Sequence, residues 1–157
     1  MPVQRLRNLS GRERSSSSNR HLALFLAFIA GAIDVGGYVS LKHYSSHMSG
    51  IMSTMARNSA LGDATLAVAG FCAMLAFLVG AACTAILVNW GRRNLLQSEY
   101  ALPMMLEAFL LTLLGLAGQQ LAMRQWLFVP VAVLLLCFSM GLQNAIITKI
   151  SKAEIRT

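Results

Sequence analysis

The stretch Ala64–Trp90 reads ATLAVAGFCAMLAFLVGAACTAILVNW, 27 residues without a single Asp, Glu, Lys or Arg. About 20 apolar residues suffice for a helix to cross the hydrocarbon core of a bilayer, so this run is long enough to span with tilt. Its Ala76-x-x-x-Gly80-x-x-x-Thr84 spacing places small side chains on one face, where a second helix can come close. Trp90 then stands beside Gly91, Arg92 and Arg93, as an aromatic residue at a membrane interface should.

The rest of the 157 residues agrees with that reading. Hydrophobic residues make up 56% and charged residues 12%, and the mean hydropathy is +0.60. A soluble domain carries about 25% charged residues. With about half that share, the chain cannot cover a globule with polar side chains. The composition also argues against a disordered chain and a disulfide scaffold. The pI near 10.0 suggests nucleic acid at first sight. No aromatic residues interleave with the basic ones, however, so no nucleic-acid partner is expected. Cys72, Cys83 and Cys137 all lie in apolar runs, form no C-x-x-C pair, and read as packing thiols.

The 13 Lys and Arg residues against 6 Asp and Glu give a net charge of +7. Their placement matters more than the sum. Arg5, Arg7, Arg12, Arg14 and Arg20 occupy the start; Arg92 and Arg93 follow one apolar run; Lys149, Lys152 and Arg156 follow another. Residues 1–20 are polar and Arg/Ser-rich, and are expected to form a disordered basic tail on the cytoplasmic side. A transit peptide is the lesser reading of that tail, and a cleaved secretory signal fits poorly.

Four spans are expected: His21–Leu41, Ala64–Trp90, Ala101–Ala122 and Gln125–Thr148. Together, residues 21–157 form an all-α polytopic transmembrane bundle. Residues 42–63 are different. They are short, Ser-rich, and carry His43, His47 and Arg57. A helix over His47–Leu61 measures only about 22 Å, too short to cross comfortably, so a re-entrant or broken half-helix is expected there. If this segment dips and returns, ten basic residues fall on the side of the N-terminus, and only Lys42, Arg57 and Arg124 fall elsewhere. If it crosses, Arg92 and Arg93 change sides. The positive-inside rule favours the dip.

Two stretches look alike. Gly31-Ala-Ile-Asp34 and Gly141-Leu-Gln-Asn144 each set a glycine three residues before a carboxylate or carboxamide in the second half of a span. With a dip in the first copy, the two copies are inverted, as in many secondary transporters.

Asp34 lies about 20 Å into its helix, where an ionisable residue marks either a functional site or a structural carboxyl bonded to the serines of 45–49. Ser45-Ser-His-Met-Ser-Gly50 opens the half-helix. Serines are good N-caps, and a helix N-terminus offers free N–H groups to an anion. Ser49 belongs to this element, and His47 adds a charge that can switch near neutral pH. Gly50 reads as a point of close approach for another helix. Met48, Met52 and Met55 form a helical stripe, read as packing rather than as soft ligands for Cu(I). A zinc site from His43 and His47 is weaker still. Glu107 lies about 10 Å into its helix and is expected to snorkel or to pair with Arg57. Gln143 and Asn144 are either interhelical glue or the second copy's counterpart of Asp34. No nucleophile elbow, phosphate loop or metal triad occurs, so neither enzyme activity nor a cofactor or metal is expected.

The segments Gly31-Ala-Ile-Asp-Val-Gly-Gly-Tyr38, Ser46-His-Met-Ser-Gly50 and Met140-Gly-Leu-Gln-Asn-Ala145 resemble the YoaK-like family over roughly residues 22 to 157. The resemblance implies a bacterial multi-pass inner-membrane protein built on a domain of unknown function. It brings no established reaction. Ile51 stands where that family commonly has Asn. Family members also continue into a second His-Met-Thr-Gly-like element, so the chain is expected to be a C-terminally truncated member. The reading is a small-molecule transporter or permease with a midplane polar site formed by Asp34, His47 and Asn144. Its partners would be the lipid bilayer, an unidentified small molecule or ion, and a second copy of itself. The alternative is a non-transporting membrane scaffold in which the same polar groups only lock helices together.

Overall fold

A computed structural model describes residues 16–41, 47–94, 96, 100–121 and 125–150. Among the described residues there are five helices and no strand. In chain order they are α1 (Ser16–Leu41), α2 (Met48–Ala60), α3 (Ala64–Arg93), α4 (Ala101–Leu121) and α5 (Gln125–Ile150). The tail up to residue 15, Lys42, His43, Ser45, Ser46, Arg124, Lys152 and Arg156 lie outside the described residues.

The expected elements are present, with shifted ends. Helix α1 begins at Ser16, so Ser16–Arg20 is helical rather than part of a disordered tail. Nucleating a helix is the costly step, and adding a turn to one already formed costs little. Helix α3 runs three residues past Trp90 to Arg93. There Arg92 and Arg93 sit in the last turn, where cations suit the helix dipole. Pro130 lies inside α5, close enough to its start that few backbone bonds are lost.

Helix α2 has 13 residues, about 20 Å, and cannot cross a bilayer. It forms a hairpin with α3. Gly62, at φ +80°, supplies the left-handed turn. Leu61 N–H donates to the Arg57 carbonyl at 3.0 Å, and Asp63 N–H to the Asn58 carbonyl at 2.9 Å. The Asp63 carboxylate then caps α3 by accepting from Leu66 N–H at 3.2 Å. Beyond the turn, Met55 lies against Gly70, so α2 folds back along the first turns of α3.

Helix α5 is the centre of the bundle and contacts α1, α3 and α4, most extensively α3. Gly80 and Gly141 mark the α3–α5 contact. A Cβ built on Gly80 would run into the carbonyl oxygen of Phe138, and one on Gly141 into that of Phe77. One turn on, buried Thr84 donates its hydroxyl to the Leu142 carbonyl at 3.0 Å. Gly80 meets Phe138 and Thr84 meets Leu142, so α3 and α5 run parallel.

Helix α1 runs the other way. Leu26, near its start, joins one buried cluster with Val88, Ile146 and Ile147, near the ends of α3 and α5. Asp34, two turns further along α1, lies within electrostatic reach of Cys137, well back from the end of α5. Because α1 and α3 are antiparallel, the chain between them returns to the end of the bundle it left. The starts of α1 and the ends of α3 and α5, with Arg20, Arg92, Arg93 and Lys149, therefore share one end.

The surface is apolar and the core is partly polar. Phe25, Phe28, Val79, Ile86, Phe109 and Leu116 are exposed, while Asn58, Thr84, Glu107, Ser139 and Gln143 are buried. A water-soluble protein rarely shows so broad an apolar surface. Two helical segments, Ala64–Arg93 and Val129–Ile150, are long and apolar enough to cross a membrane. Ala23–Gly37 and Ala101–Ala117 are shorter apolar stretches within α1 and α4.

Candidate functional site

The inner face of α1 carries Ala23, Leu26, Ala30, Ile33, Asp34 and Gly37, all at least partly buried. Their spacing of three and four residues is that of a helix packed on one side. Asp34 is thus carried inward by the same stripe that buries Leu26. Its side chain is 14% exposed.

His47 is the N-cap of α2 and makes no side-chain cap bond. The expected serine cap is therefore replaced at this position. His47 Nε2 instead lies 3.9 Å from Asp34 Oδ2, with the imidazole 68% exposed. The free N–H groups of the first turn of α2 and a protonated His47 both favour a carboxylate nearby. Asp34 supplies it. Because α2 folds back from the turn at Gly62, its N-terminus, not its C-terminus, is the end that reaches inward. The site is a short helix starting against a largely buried acid on a neighbouring helix.

The other candidates fall in different places. Ser49 is exposed in the first turn of α2, and its carbonyl accepts from Ser53 Oγ at 2.9 Å. Gly50 is exposed too; a Cβ there would meet only the Cβ of His47, at 3.6 Å, and no other helix. Along the methionine stripe, Met55 packs against Gly70 and Met52 is exposed. Cys137, read from sequence only as a packing thiol, lies within electrostatic reach of Asp34.

Gln143 and Asn144 lie about 10 Å along α5 from Cys137, nearer the basic end. Gln143 is fully buried and its Nε2 donates to the Leu26 carbonyl at 2.8 Å, which is the interhelical glue expected of it. Asn144 is half-buried and its carbonyl accepts from Thr148 Oγ1 at 2.8 Å. Glu107 is buried in α4, and its Oε1 has no hydrogen-bond partner among the described residues. Arg57 is exposed on α2, at the opposite end of the bundle from Arg92, and forms no pair with Glu107. The structure thus joins Asp34 with His47, and leaves Glu107, Gln143 and Asn144 at a second level. Ser139, also buried and unpaired at Oγ, was missed in the sequence. Its position four residues before Gln143, in an otherwise apolar helix, was the available signal.

The two glycines of the sequence repeat differ in surroundings. Gly141 is locked against α3, whereas nothing among the described residues lies within 4 Å of a Cβ on Gly31.

A family model described as "Protein of unknown function (DUF1275)" matches residues 22–157. No curated protein and no solved structure matches the chain.

Proposed function

We propose that this chain, which belongs to the DUF1275 family, is a multi-pass membrane protein that passes a small molecule or ion through a polar site at Asp34 and His47. Four helices, α1, α3, α4 and α5, cross the membrane, and α2 is a re-entrant half-helix. Three findings support this arrangement: α2 is about 20 Å long, α1 and α3 are antiparallel, and among the described residues Arg20, Arg92, Arg93 and Lys149 gather at one end with only Arg57 at the other. That end faces the cytoplasm of a bacterial inner membrane. The reading is of a permease, without enzymatic chemistry.

One observation carries the functional part. A short helix starts beside Asp34, a largely buried carboxylate on a neighbouring span that lies 3.9 Å from its exposed N-cap histidine. Interrupted helices ending at depth are where membrane transporters place their substrate and ion sites. A solute carrying charge competes for Asp34 with His47 and the helix end. The antiparallel course of α1 and α5 supports reading Gly31–Asp34 and Gly141–Asn144 as inverted copies.

The scaffold reading draws support from the Thr84–Leu142 and Gln143–Leu26 bonds, which lock helices and do nothing else visible. Water separates the two readings. With Cys72, Cys83 and Cys137 replaced, Asp34→Cys and His47→Cys should both react with a membrane-impermeant thiol reagent in intact membranes. Silence at both positions favours the scaffold. For a transported solute, Asp34→Asn should abolish proton-coupled flux; unchanged flux leaves Asp34 a structural role.

A further inference from the structure

Three buried polar atoms have no hydrogen-bond partner among the described residues: Glu107 Oε1, Ser139 Oγ and Gln143 Oε1. Their residues are 5%, 1% and 1% exposed. Orphaned buried polar atoms are costly, of order 1–3 kcal/mol each and more when charged, so three in one bundle call for a reason.

They belong to one level of the fold. Ser139 and Gln143 are one turn apart on the same face of α5. On α4, Tyr100 is buried in the cluster with Ile146 and Ile147, with Met104 packed alongside. Helix α4 runs antiparallel to α5, because the short connection of residues 122–124 joins them as neighbours. Glu107 lies two turns beyond Tyr100, about 10 Å along α4, which is the level of Ser139–Gln143 on α5.

Their chemistry is one-sided. Gln143 Nε2 donates to the Leu26 carbonyl, which can only accept. That bond occupies the Nε2 branch of the amide and leaves Oε1 as a buried acceptor without a partner among the described residues. The group thus offers a carboxylate, an amide oxygen and a hydroxyl, with only the hydroxyl able to donate. No Lys, Arg or His pairs with Glu107 among the described residues. A carboxylate in so dry a place has to take up a proton or hold a positive counterpart.

We propose that Glu107, Ser139 and Gln143 form a binding site for an alkali cation of the sodium class. All three ligands are hard oxygens, which do not suit zinc or copper. A single carboxylate balances one positive charge. Calcium takes six to eight oxygens and magnesium a strict octahedron with several waters, more than this dry group supplies. Gln143 lies about 12 Å nearer the basic end than Asp34, as Leu26 does, and Ser139 about 3 Å along α5 from Cys137, so the group starts near the level of Asp34 and shares no residue with the Asp34–His47 pair. It deepens the permease reading by naming a coupling ion, and rests on that reading only for this role; binding itself does not need transport.

The test uses the full chain purified in detergent, with 22Na+ as the probe. Wild-type protein should bind 22Na+ at about one per chain, and its thermal unfolding should shift upward in sodium chloride relative to choline chloride. Glu107→Gln should abolish both effects. Ser139→Ala should weaken binding about tenfold, the value of one hydrogen bond to a charged group. The 22Na+ measurement on wild-type protein stands even where a variant fails to fold. No 22Na+ binding with equal stability in sodium, potassium and choline overturns the proposal. So does a folded Glu107→Gln variant that still binds, or a stability that follows pH alone. Thiol labelling at positions 34 and 47 reads the other site, so loss of this proposal with labelling intact leaves the permease reading standing.

Discussion

Asp34 lies in α1 and His47 caps the start of α2, and their side chains approach to 3.9 Å. The approach depends on direction. Helix α2 folds back along α3 from Gly62, so its first residue, not its last, reaches the level of Asp34. A double-mutant cycle of Asp34→Asn and His47→Gln, read by thermal unfolding at acidic pH, should give a coupling below about 1 kcal/mol. The exposed imidazole keeps the interaction in a solvated range. Coupling of about 3 kcal/mol, as in a buried ion pair, would place the pair away from water.

The glycines divide into two classes. Gly80→Ala and Gly141→Ala each push a methyl group into a backbone carbonyl of the facing helix, so the helices have to separate. Each should cost about 1–3 kcal/mol or more. Gly31→Ala and Gly115→Ala meet nothing within 4 Å among the described residues and should be neutral, or stabilising by up to about 1 kcal/mol. Melting of the four variants in detergent checks the split. A tolerant Gly80 would break the close approach of α3 and α5.

Thr84→Val keeps the shape of the side chain and removes only the hydroxyl that bonds the Leu142 carbonyl. The loss should be about 1 kcal/mol, because hydrogen bonds between helices in membranes contribute modestly. Thr84→Ala should cost more, through the cavity it leaves. Equal melting of wild type and both variants would deny the bond any weight.

At the α2–α3 turn, Gly62→Val should destabilise by about 1–2 kcal/mol, since a β-branched residue resists a φ of +80°. Asp63→Ala should cost about 1 kcal/mol through the lost cap on Leu66. Hydrogen exchange should show both losses concentrated at the hairpin. A uniform loss across all five helices would contradict a local turn.

Topology follows from direction. In a chain freed of its native cysteines, Asn94→Cys should label only from the cytoplasmic side and Leu61→Cys only from the other. Both residues are exposed at element ends. Labelling of Asn94 from outside would make α2 a full crossing.

Much of this was legible in the sequence because membrane spans are written in length and hydropathy. Helix α2, Met48–Ala60, falls within one residue of the expected His47–Leu61 at each end, and its shortness and polarity set it apart from the apolar runs. Ala76, Gly80 and Thr84 announced a packing face, but a single face does not name its partner. That Gly141 answers Gly80 needed the structure. Asp34 was visible as a lone acid in an apolar run, and His47 as the opening of a half-helix. Their meeting depends on which way α2 points, which periodicity does not encode. Glu107 was visible as well, but its expected partner Arg57 lies at the far end of the bundle. Helix α1 outran its expected start because polar residues say little about whether an existing helix continues.

The contact of Gly80 with Phe138 and of Gly141 with Phe77 has a mechanical consequence. Between most packed helices, side chains can change rotamer and let one element slide past the other by an ångström or two. Here backbone meets backbone, and no rotamers are available to re-sort. Helices α3 and α5 therefore form a stiff keel. If the protein alternates the side on which Asp34 meets water, the moving part is α1 or the α2 hairpin, rocking against that keel.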